Sequence, residues 1–591
     1  ELERVLHDIN GVGFDGTANI TVDPQVDSDE ATNAAHYPVF VSSSAGGFQR
    51  LGAGEFGPWA TAGVRVMIAE PRAYLEPPSV KCNHVSSRTM ERFRQLGVAD
   101  KLRRAGLPDE HPNDVVFRTS VTGIELTRIP IPCRRDRYTE LEGPDTGWPT
   151  PEPPHRINQI YLEPLLLAHA VKQEGLSLLS RTRLIDFEQD DHGVLVSLED
   201  LDTQEVRQLR VLYLVGCDGG SSGVRKKMGA QLQGTEVIQR VQSTHIRAPQ
   251  LAALLPGKLA WCYYSVNPDR CGTVFAIDGQ ETWLVHNHLN AQELEFDSVD
   301  RDKSIRHILG VGPDFEYQII TKEDWVGRRL VANRFRNGKV FLAGDAAHLW
   351  VPYAGYGMNA GIADATNLAW LLSARVQGWA DESILDAYEA ERQPITEQVS
   401  RFAMDHAQKM IKARSAVPPN IEADDASGAA ARALIGDEAY QLNVQQFCCA
   451  GLNFGYYYDQ SPVMVYDGDK APEYSMGSFT ASTVPGCRAP HFWLGEGQSL
   501  YDALGPAYTL LCLKPGHDDA LHALQAAAEH QGMPLRVLDV SGVKDLPPEY
   551  QHPLLMVRAD AHTVWRGHSL DDGLAQALVA TLCGRGSLTP A

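Results

Sequence analysis

The chemistry-bearing residues of this chain concentrate in one segment, Phe341–Trp370. A buried apolar run, Val340–Ala343, leads to a carboxylate, Asp345. A turn rich in proline and glycine follows (Pro352, Gly355), and then a helical pattern opens at Gly357-Met358-Asn359. That order gathers a carboxylate and the unpaired N–H groups of a helix start around one small space. The carboxylate can accept hydrogen bonds from a polyhydroxylated chain. The helix start, with its free donors and macrodipole, favours a ring oxygen that gains negative charge. Upstream, Val211–Val215 reads as a buried strand running into Gly216-Cys217-Asp218-Gly219-Gly220, with Arg225 beyond it. By itself an Asp-Gly pair is a turn. Gln159 precedes an apolar helical stretch, and Asn83-His84 precedes Arg88-Thr89-Met90-Glu91. His84, with an ordinary pKa near 6.5, is a candidate proton acceptor, although a lone histidine more often serves as a structural hydrogen bonder.

A flavin has both features that the 341–370 segment calls for, a ribityl chain and a ring carbonyl that becomes anionic on reduction. The segment resembles the ribityl-binding GD motif of the class A flavin aromatic monooxygenases, the family of phenol hydroxylase and para-hydroxybenzoate hydroxylase. Asp218-Gly219 stands about 125 residues before Gly344-Asp345, in the order this family uses, and resembles its DG motif at the flavin diphosphate. Asn158–Glu163 resembles the Gln-x-x-Leu-Glu stretch whose glutamine lies beside the flavin. The 83–91 segment resembles the lead-in to the family's Arg-Thr-Met-Glu helix. There Lys81 would bring positive charge near the phosphate and Arg88 would anchor the helix. Asn83 stands where phenol hydroxylase has an aspartate near the substrate, and asparagine cannot act as a base.

The resemblance implies FAD as cofactor, NADPH or NADH as transient co-substrate, and O2 and a small phenolic compound as substrates. Oxygen would add at the flavin C4a position and be delivered to an electron-rich ring, ortho to a hydroxyl. Baeyer–Villiger insertion, ring cleavage, or a flavin-binding scaffold without activity are the alternatives.

The elements that must position these residues follow from periodicity. Tyr37–Val41 and Val64–Ala69 read as strands, the second ending in Glu70. Met90, Phe93, Leu96 and Leu102 are spaced for one helix face within 86–107, and Tyr161–Gln173 is a second helix. Arg134–Pro154 reads as a surface excursion rich in charge, proline and glycine. Alternating stretches at 259–266, 272–276 and 282–289 predict a separate antiparallel sheet that roofs the substrate. In Trp261-Cys262-Tyr263-Tyr264 alternation lets one tyrosine, Tyr263 or Tyr264, face the pocket, where a phenol could polarise the substrate hydroxyl. The fold expected is α/β: a discontinuous FAD-binding Rossmann-like domain of the glutathione reductase type (37–236 and 335–412) with an inserted sheet (237–334). A polar extension (1–36), an irregular connector (413–480) and a unit over 481–591 complete the chain. That last unit, with strands at 508–513, 535–540, 554–558 and 563–566 and helices at 518–530 and 571–582, resembles the thioredoxin-like domain of phenol hydroxylase. Pro553 falls where such folds keep a cis-proline. Lys514-Pro515-Gly516-His517 replaces the cysteine pair, which implies a structural unit.

Composition narrows the partners. The formal charge of −22 argues against nucleic acid and anionic membranes. No apolar run approaches the roughly 20 residues of a membrane span. The start of the sequence lacks the basic and apolar pattern of a secretory signal. Ten scattered cysteines include no C-x-x-C, so no metal site is signalled. A soluble cytoplasmic protein follows, with a homodimer left open.

One departure stands out. The family opens with a strand and then Gly-x-Gly-x-x-Gly at a helix N-terminus. Here Ser42-Ser43-Ser44-Ala45-Gly46-Gly47 follows the strand, and the literal match at Gly52–Gly57 leaves too short a helix before the next strand, with Glu70 as the would-be ribose acid. A helix over 48–62 would carry three glycines at roughly 1 kcal/mol each and a proline at about 3. The stretch is either a divergent phosphate loop or a sequence error. Codons for Val-Val-Val-Gly read one base out give Ser-Ser-Ser and a GC-start codon.

Overall fold

The computed structural model describes residues 39–42, 65–81, 83–351 and 353–586. The polar extension 1–36, the stretch 43–62 where a phosphate loop is expected, and Pro352 lie outside the described residues. A six-stranded sheet carries the strands in the order Arg336–Asn337, Val340–Leu342, Leu214–Cys217, Val39–Ser42, Val66–Glu70 and Leu176–Ser180. All its pairings are parallel except the outermost, between 336–337 and 340–342. The central strands are short continuous apolar runs, as expected where helices cover both faces. The carboxyl ends of Leu214–Cys217 and Val340–Leu342 lie side by side, with Leu342 in register with Gly216. The Asp-Gly turn and the Gly-Asp turn are thereby neighbours despite their separation in sequence.

The second sheet has eight strands, in the order His348–Trp350, Gln318–Ala332, Leu232–Arg247, Thr282–His288, Gly272–Ala276, Cys262–Ser265, Val115–Arg118 and Glu125–Ile129. It is antiparallel throughout except between 262–265 and 115–118. The sheet thus reaches beyond the predicted 237–334, drawing one hairpin from 115–129 and one short strand from 348–350. Neither is separable by pattern: Val115–Arg118 is buried at every position and shows no alternation.

Several local expectations are corrected. The helical pattern of 86–107 forms two helices, Ser87–Gln95 and Ala99–Arg103, because Gly97 turns left-handed (φ +72°) between them. The strand expected at 211–215 is Leu214–Cys217; Val211 ends the last strand of a separate three-stranded meander (182–190, 193–200, 206–211). Arg134–Pro154 is partly interior: Arg137 and Asp145 form a buried ion pair at 2.8 Å, and Glu152 receives Arg103. The connector 413–480 is not irregular throughout. It holds the helices Ala426–Phe447 and Ala450–Phe454, the first of which lacks a single apolar face and carries Gly428 and Gly436.

The last hundred residues form a four-stranded sheet in the order Leu535–Asp539, Tyr508–Cys512, Leu554–Arg558, Thr563–Gly567. Helices Asp518–Gln531 and Asp572–Leu582 pack with it. Pro553 precedes its strand, but no cis peptide occurs among the described residues. Cys448 and Cys449 are buried thiols. Among the described residues there is no helix long and apolar enough to cross a membrane and no cluster suited to a metal.

Candidate active site

The two sheets enclose a cavity of about 370 Å³. Its floor is the carboxyl end of the parallel sheet: Val215, Cys217, Ala343, Gly344 and Asp345, with Gly355, Gly357, Met358 and Gly361 from the helix start. Ligands of open α/β sheets bind at such strand ends. The segment Val80–His84 and Gln159 close one side.

Close backbone approach builds the floor. Gly355 caps the helix Tyr356–Val376 in the left-handed region (φ +61°), and a β-carbon there would stand 2.8 Å from that of His84. Gly344 is also left-handed (φ +60°), and a β-carbon on Gly361 would lie 3.3 Å from its Cα. Asp364, one turn further along the helix, ties this turn down. Its carboxylate accepts Gly344 N–H (3.1 Å), Arg392 Nε (2.9 Å) and His348 Nε2 (2.7 Å). Burial opposes ionisation of Asp364, but His348 and Arg392 together hold it below the usual carboxylate range.

Asp345 has the opposite environment. Burial raises its carboxyl, with only the more distant His348 and Lys81 pulling it down. Among the described residues nothing hydrogen-bonds to this carboxylate. The indole N–H of Trp350, on the same wall, has no acceptor either. The floor therefore holds an unspent carboxylate, an unspent donor, and first-turn N–H groups that an α-helix leaves without intrahelical partners. A ligand with hydroxyls and ring carbonyls satisfies this set, and a flavin fits it.

The structure brings nine of the predicted residues to the cavity wall: Lys81, Asn83, His84, Gln159, Tyr264, Asp345, Gly355, Gly357 and Met358. Lys81 pairs with Glu323. Gln159 starts the helix Gln159–Ala170 and donates to Glu163 (3.1 Å). Six others lie off the wall. Glu70 is buried against Arg72 (3.3 Å), which also reaches Glu163. The Asp218 carboxylate turns onto its own loop, accepting Val224 N–H (3.0 Å) and Ser222 Oγ–H. Gly219 supplies that loop's left-handed turn (φ +75°). Arg225, beyond it, donates to the carbonyls of Ala346 (2.9 Å) and Gly220 (2.8 Å), joining the two turns. Asn359 fastens the helix start to the 84–89 segment: it accepts Ser86 N–H (2.9 Å) and Thr89 Oγ–H (2.8 Å) and donates to the carbonyls of His84 and Gly355. Arg88 points the other way, over the ring of Tyr456 (4.1 Å) and toward His562 (3.2 Å). Tyr263 accepts Ala260 N–H at 2.7 Å on the far face of its strand.

The roof is aromatic. Tyr264 stacks on Phe117 with centroids 4.6 Å apart, and Trp261, Phe275, Trp325 and Phe447 extend the apolar wall. Burial raises the Tyr264 phenol well above 10, so it stays protonated. Between the rings stand Gln239, Ser243, Thr273, His286 and His288. Burial pushes His286 down to about 4 and, with Arg414 and His286 adding repulsion, keeps His288 neutral as well. Arg156 lies 4.8 Å over the Trp261 ring. The polar roof residues are not among those the sequence singles out. The signal was present in the alternation: 284, 286 and 288 share one face of a strand, as do 273 and 275.

A hydroxyl-accepting carboxylate and a helix start at parallel strand ends, under an antiparallel aromatic roof, define a flavin-dependent oxidoreductase. The chain belongs to the FAD binding domain family, whose match covers residues 59–403. It is 30% identical over 543 residues to aklavinone 12-hydroxylase RdmE of Streptomyces purpurascens, covering 88% of this chain and 94% of that one. It is 27% identical over 566 residues to phenol 2-monooxygenase of a Pseudomonas species, covering 89% of each. The rebeccamycin biosynthetic enzyme RebC, solved with reduced flavin, superposes with a TM-score of 0.80 at 30% identity, over 94% of this chain and all of that one. The cofactor is FAD and the activity is that of a flavoprotein monooxygenase.

Proposed function

We propose that this monooxygenase hydroxylates a phenolic ring, with NADPH or NADH as reductant and O2 as co-substrate. One observation carries the reading: a single cavity has a flavin-compatible floor and a roof of aromatic rings with a protonated phenol, Tyr264, among them. Asp345, Gly355, Gly357, Met358 and Gln159 would hold the flavin, with Lys81 on the same cavity wall. When bound, FAD supplies the activation of oxygen at the expense of NAD(P)H.

The chain's own residues then have three tasks. The first is to place the ring, which Phe275, Trp261 and Phe447 do as an apolar slot. The second is to orient its oxygen. Tyr264 can donate to a substrate oxygen, and because its own proton is held firmly it stabilises that oxygen as it gains charge. The third is to exclude water, which the continuous aromatic wall favours. His286, at about 4, is a weak base and serves as an acceptor of hydrogen bonds. Asn83 donates no charge to this balance.

The test is hydroxylation of a panel of phenols by FAD-loaded protein with NAD(P)H under 18O2. One labelled atom in the product with the ring intact supports the reading. A lactone or a cleaved ring overturns it in favour of another oxygenase outcome, and a colourless protein that takes up no FAD overturns it altogether.

A further inference from the structure

Four cavity-lining residues, Tyr353, Gln239, His288 and Thr273, are linked with Arg414 behind them by hydrogen bonds whose directions can be worked out from one end. Arg414 Nη1 lies 3.4 Å from Tyr353 Oη, and a guanidinium can only donate. Tyr353 therefore accepts there and spends its own hydrogen on Gln239 Oε1, 3.2 Å away. That fixes the amide so that Gln239 Nε2 donates to His288 Nδ1 at 2.9 Å. A neutral imidazole then carries its proton on Nε2, which meets Thr273 Oγ1 at 3.0 Å. Thr273 accepts, and its hydroxyl hydrogen is left over. The residue is 3% exposed and lines the cavity, and among the described residues nothing else takes that hydrogen.

Register places the leftover donor. Thr273 stands directly across from Tyr264 on one side and from His286 on the other. Neighbouring strands are roughly 4.8 Å apart, so the Thr273 and Tyr264 side chains stand side by side on the cavity wall.

The geometry points to Thr273 as a specificity-determining residue: aimed by Arg414, Tyr353, Gln239 and His288, it donates with Tyr264 to one acceptor oxygen, so the pocket favours aromatic compounds bearing a phenolate or carbonyl oxygen, the stronger acceptors, over the neutral phenol. This rests on the aromatic-substrate reading above. The ionisable groups facing Thr273 are Tyr264 on one neighbouring strand and His286 and His288 on the other, with Arg414 behind them. Arg156 and the Lys81–Glu323 pair lie elsewhere on the wall.

The experiment titrates 4-nitrophenol bound to the FAD-loaded protein, reading the phenolate by its absorbance, with 4-nitroanisole as a probe that cannot ionise. The wild type is expected to bind the phenolate about tenfold more tightly than the phenol, lowering the bound probe's pKa by about one unit. Thr273→Val reduces that shift, Tyr264 being left as donor, and weakens phenolate binding more than 4-nitroanisole binding; Thr273→Ser restores the shift, and Tyr353→Phe, which leaves the amide of Gln239 undirected, reduces it. An unshifted pKa in the wild type, or an equal shift in Thr273→Val, overturns the inference while leaving the hydroxylase reading standing. Should Thr273→Val fail to fold, a full shift in Tyr353→Phe overturns it. Failure of the wild type to bind either probe overturns the aromatic-substrate reading itself.

Discussion

The floor and the roof of the cavity are built by different means. The floor is backbone: two left-handed glycines, a helix start, and a turn held by one buried carboxylate with three donors. The roof is side chains, and one row of them crosses six strands, from Phe117 through Tyr264, Thr273, His286 and Ser243 to Glu323, by strand register alone. Backbone geometry has few solutions, and almost any substitution spoils it. A row of side chains on a regular sheet can be changed one at a time without disturbing the sheet. The floor thus suits a cofactor that never varies, and the roof suits substrates that do.

Asp364→Ala strikes the floor hardest. It strands Arg392, which is fully buried with its side chain beside Asp364, and releases the Gly344 turn. Thermal or urea unfolding should show a loss of about 3–5 kcal/mol. A loss as small as that of a roof substitution would erase the distinction. Gly355→Val comes next. The left-handed backbone and the 2.8 Å approach to His84 together cost about 2 kcal/mol or more, and FAD affinity by fluorescence titration should fall at least tenfold while 4-nitroanisole still binds to whatever holoenzyme forms.

Acid should separate the two walls by pH. His286, buried and held at about 4, binds its proton less readily in the folded state than in the unfolded one. Its contribution is complete above pH 6.5 and declines as pH falls from there toward 4, by at most about 1.4 kcal/mol per pH unit and less because it opens on the cavity. Asp364 is depressed below its ordinary value, so its contribution is intact above about pH 4 and is lost only below it. Between pH 6.5 and 4, tryptophan fluorescence of the roof should therefore change before FAD is released. Release of flavin first would reverse the ranking. The smallest effect sharpens the comparison within the roof. Tyr264→Phe should raise the Kd of a phenolic ligand several-fold, whereas Tyr263→Phe, which removes only the acceptor for Ala260 N–H, should cost about 1 kcal/mol of stability and leave ligand affinity unchanged.

The same contrast explains what could be read from the sequence. Gly344 and Gly355 were legible because their left-handed backbone demands glycine at fixed spacing, and Asp345 and Gly357 because they stand beside them in the same motif. The C-terminal elements were legible within a residue or two, each being a short apolar run or an amphipathic helix bounded by turns. His286, Thr273 and Gln239 were not, since alternation shows which residues share a strand face but leaves open whether that face meets water or a cavity. Arg88 and Asn359 sit in the recognisable motifs, yet they fasten segments together and do not line the wall. The segments they fasten lie 270 or more residues apart, beyond the reach of local pattern. The helix Ala426–Phe447 was hidden for a different reason, having no one-sided apolar stripe to show.

The C-terminal sheet reaches back into the flavin-binding part through charge. Arg558 grips Glu391 with both nitrogens, at 2.7 and 2.8 Å, where neither side chain is accessible to solvent, and Arg488 pairs with the buried Glu91. A chain cut at residue 480 would keep both carboxylates and lose the two cations that neutralise them, together with the side chains that pack over this face. The last hundred residues hold no redox pair, but they are not a removable module. The enzyme cannot be shortened to its cofactor-binding part, and any attempt to trade this unit between relatives has to move Glu91 and Glu391 along with it.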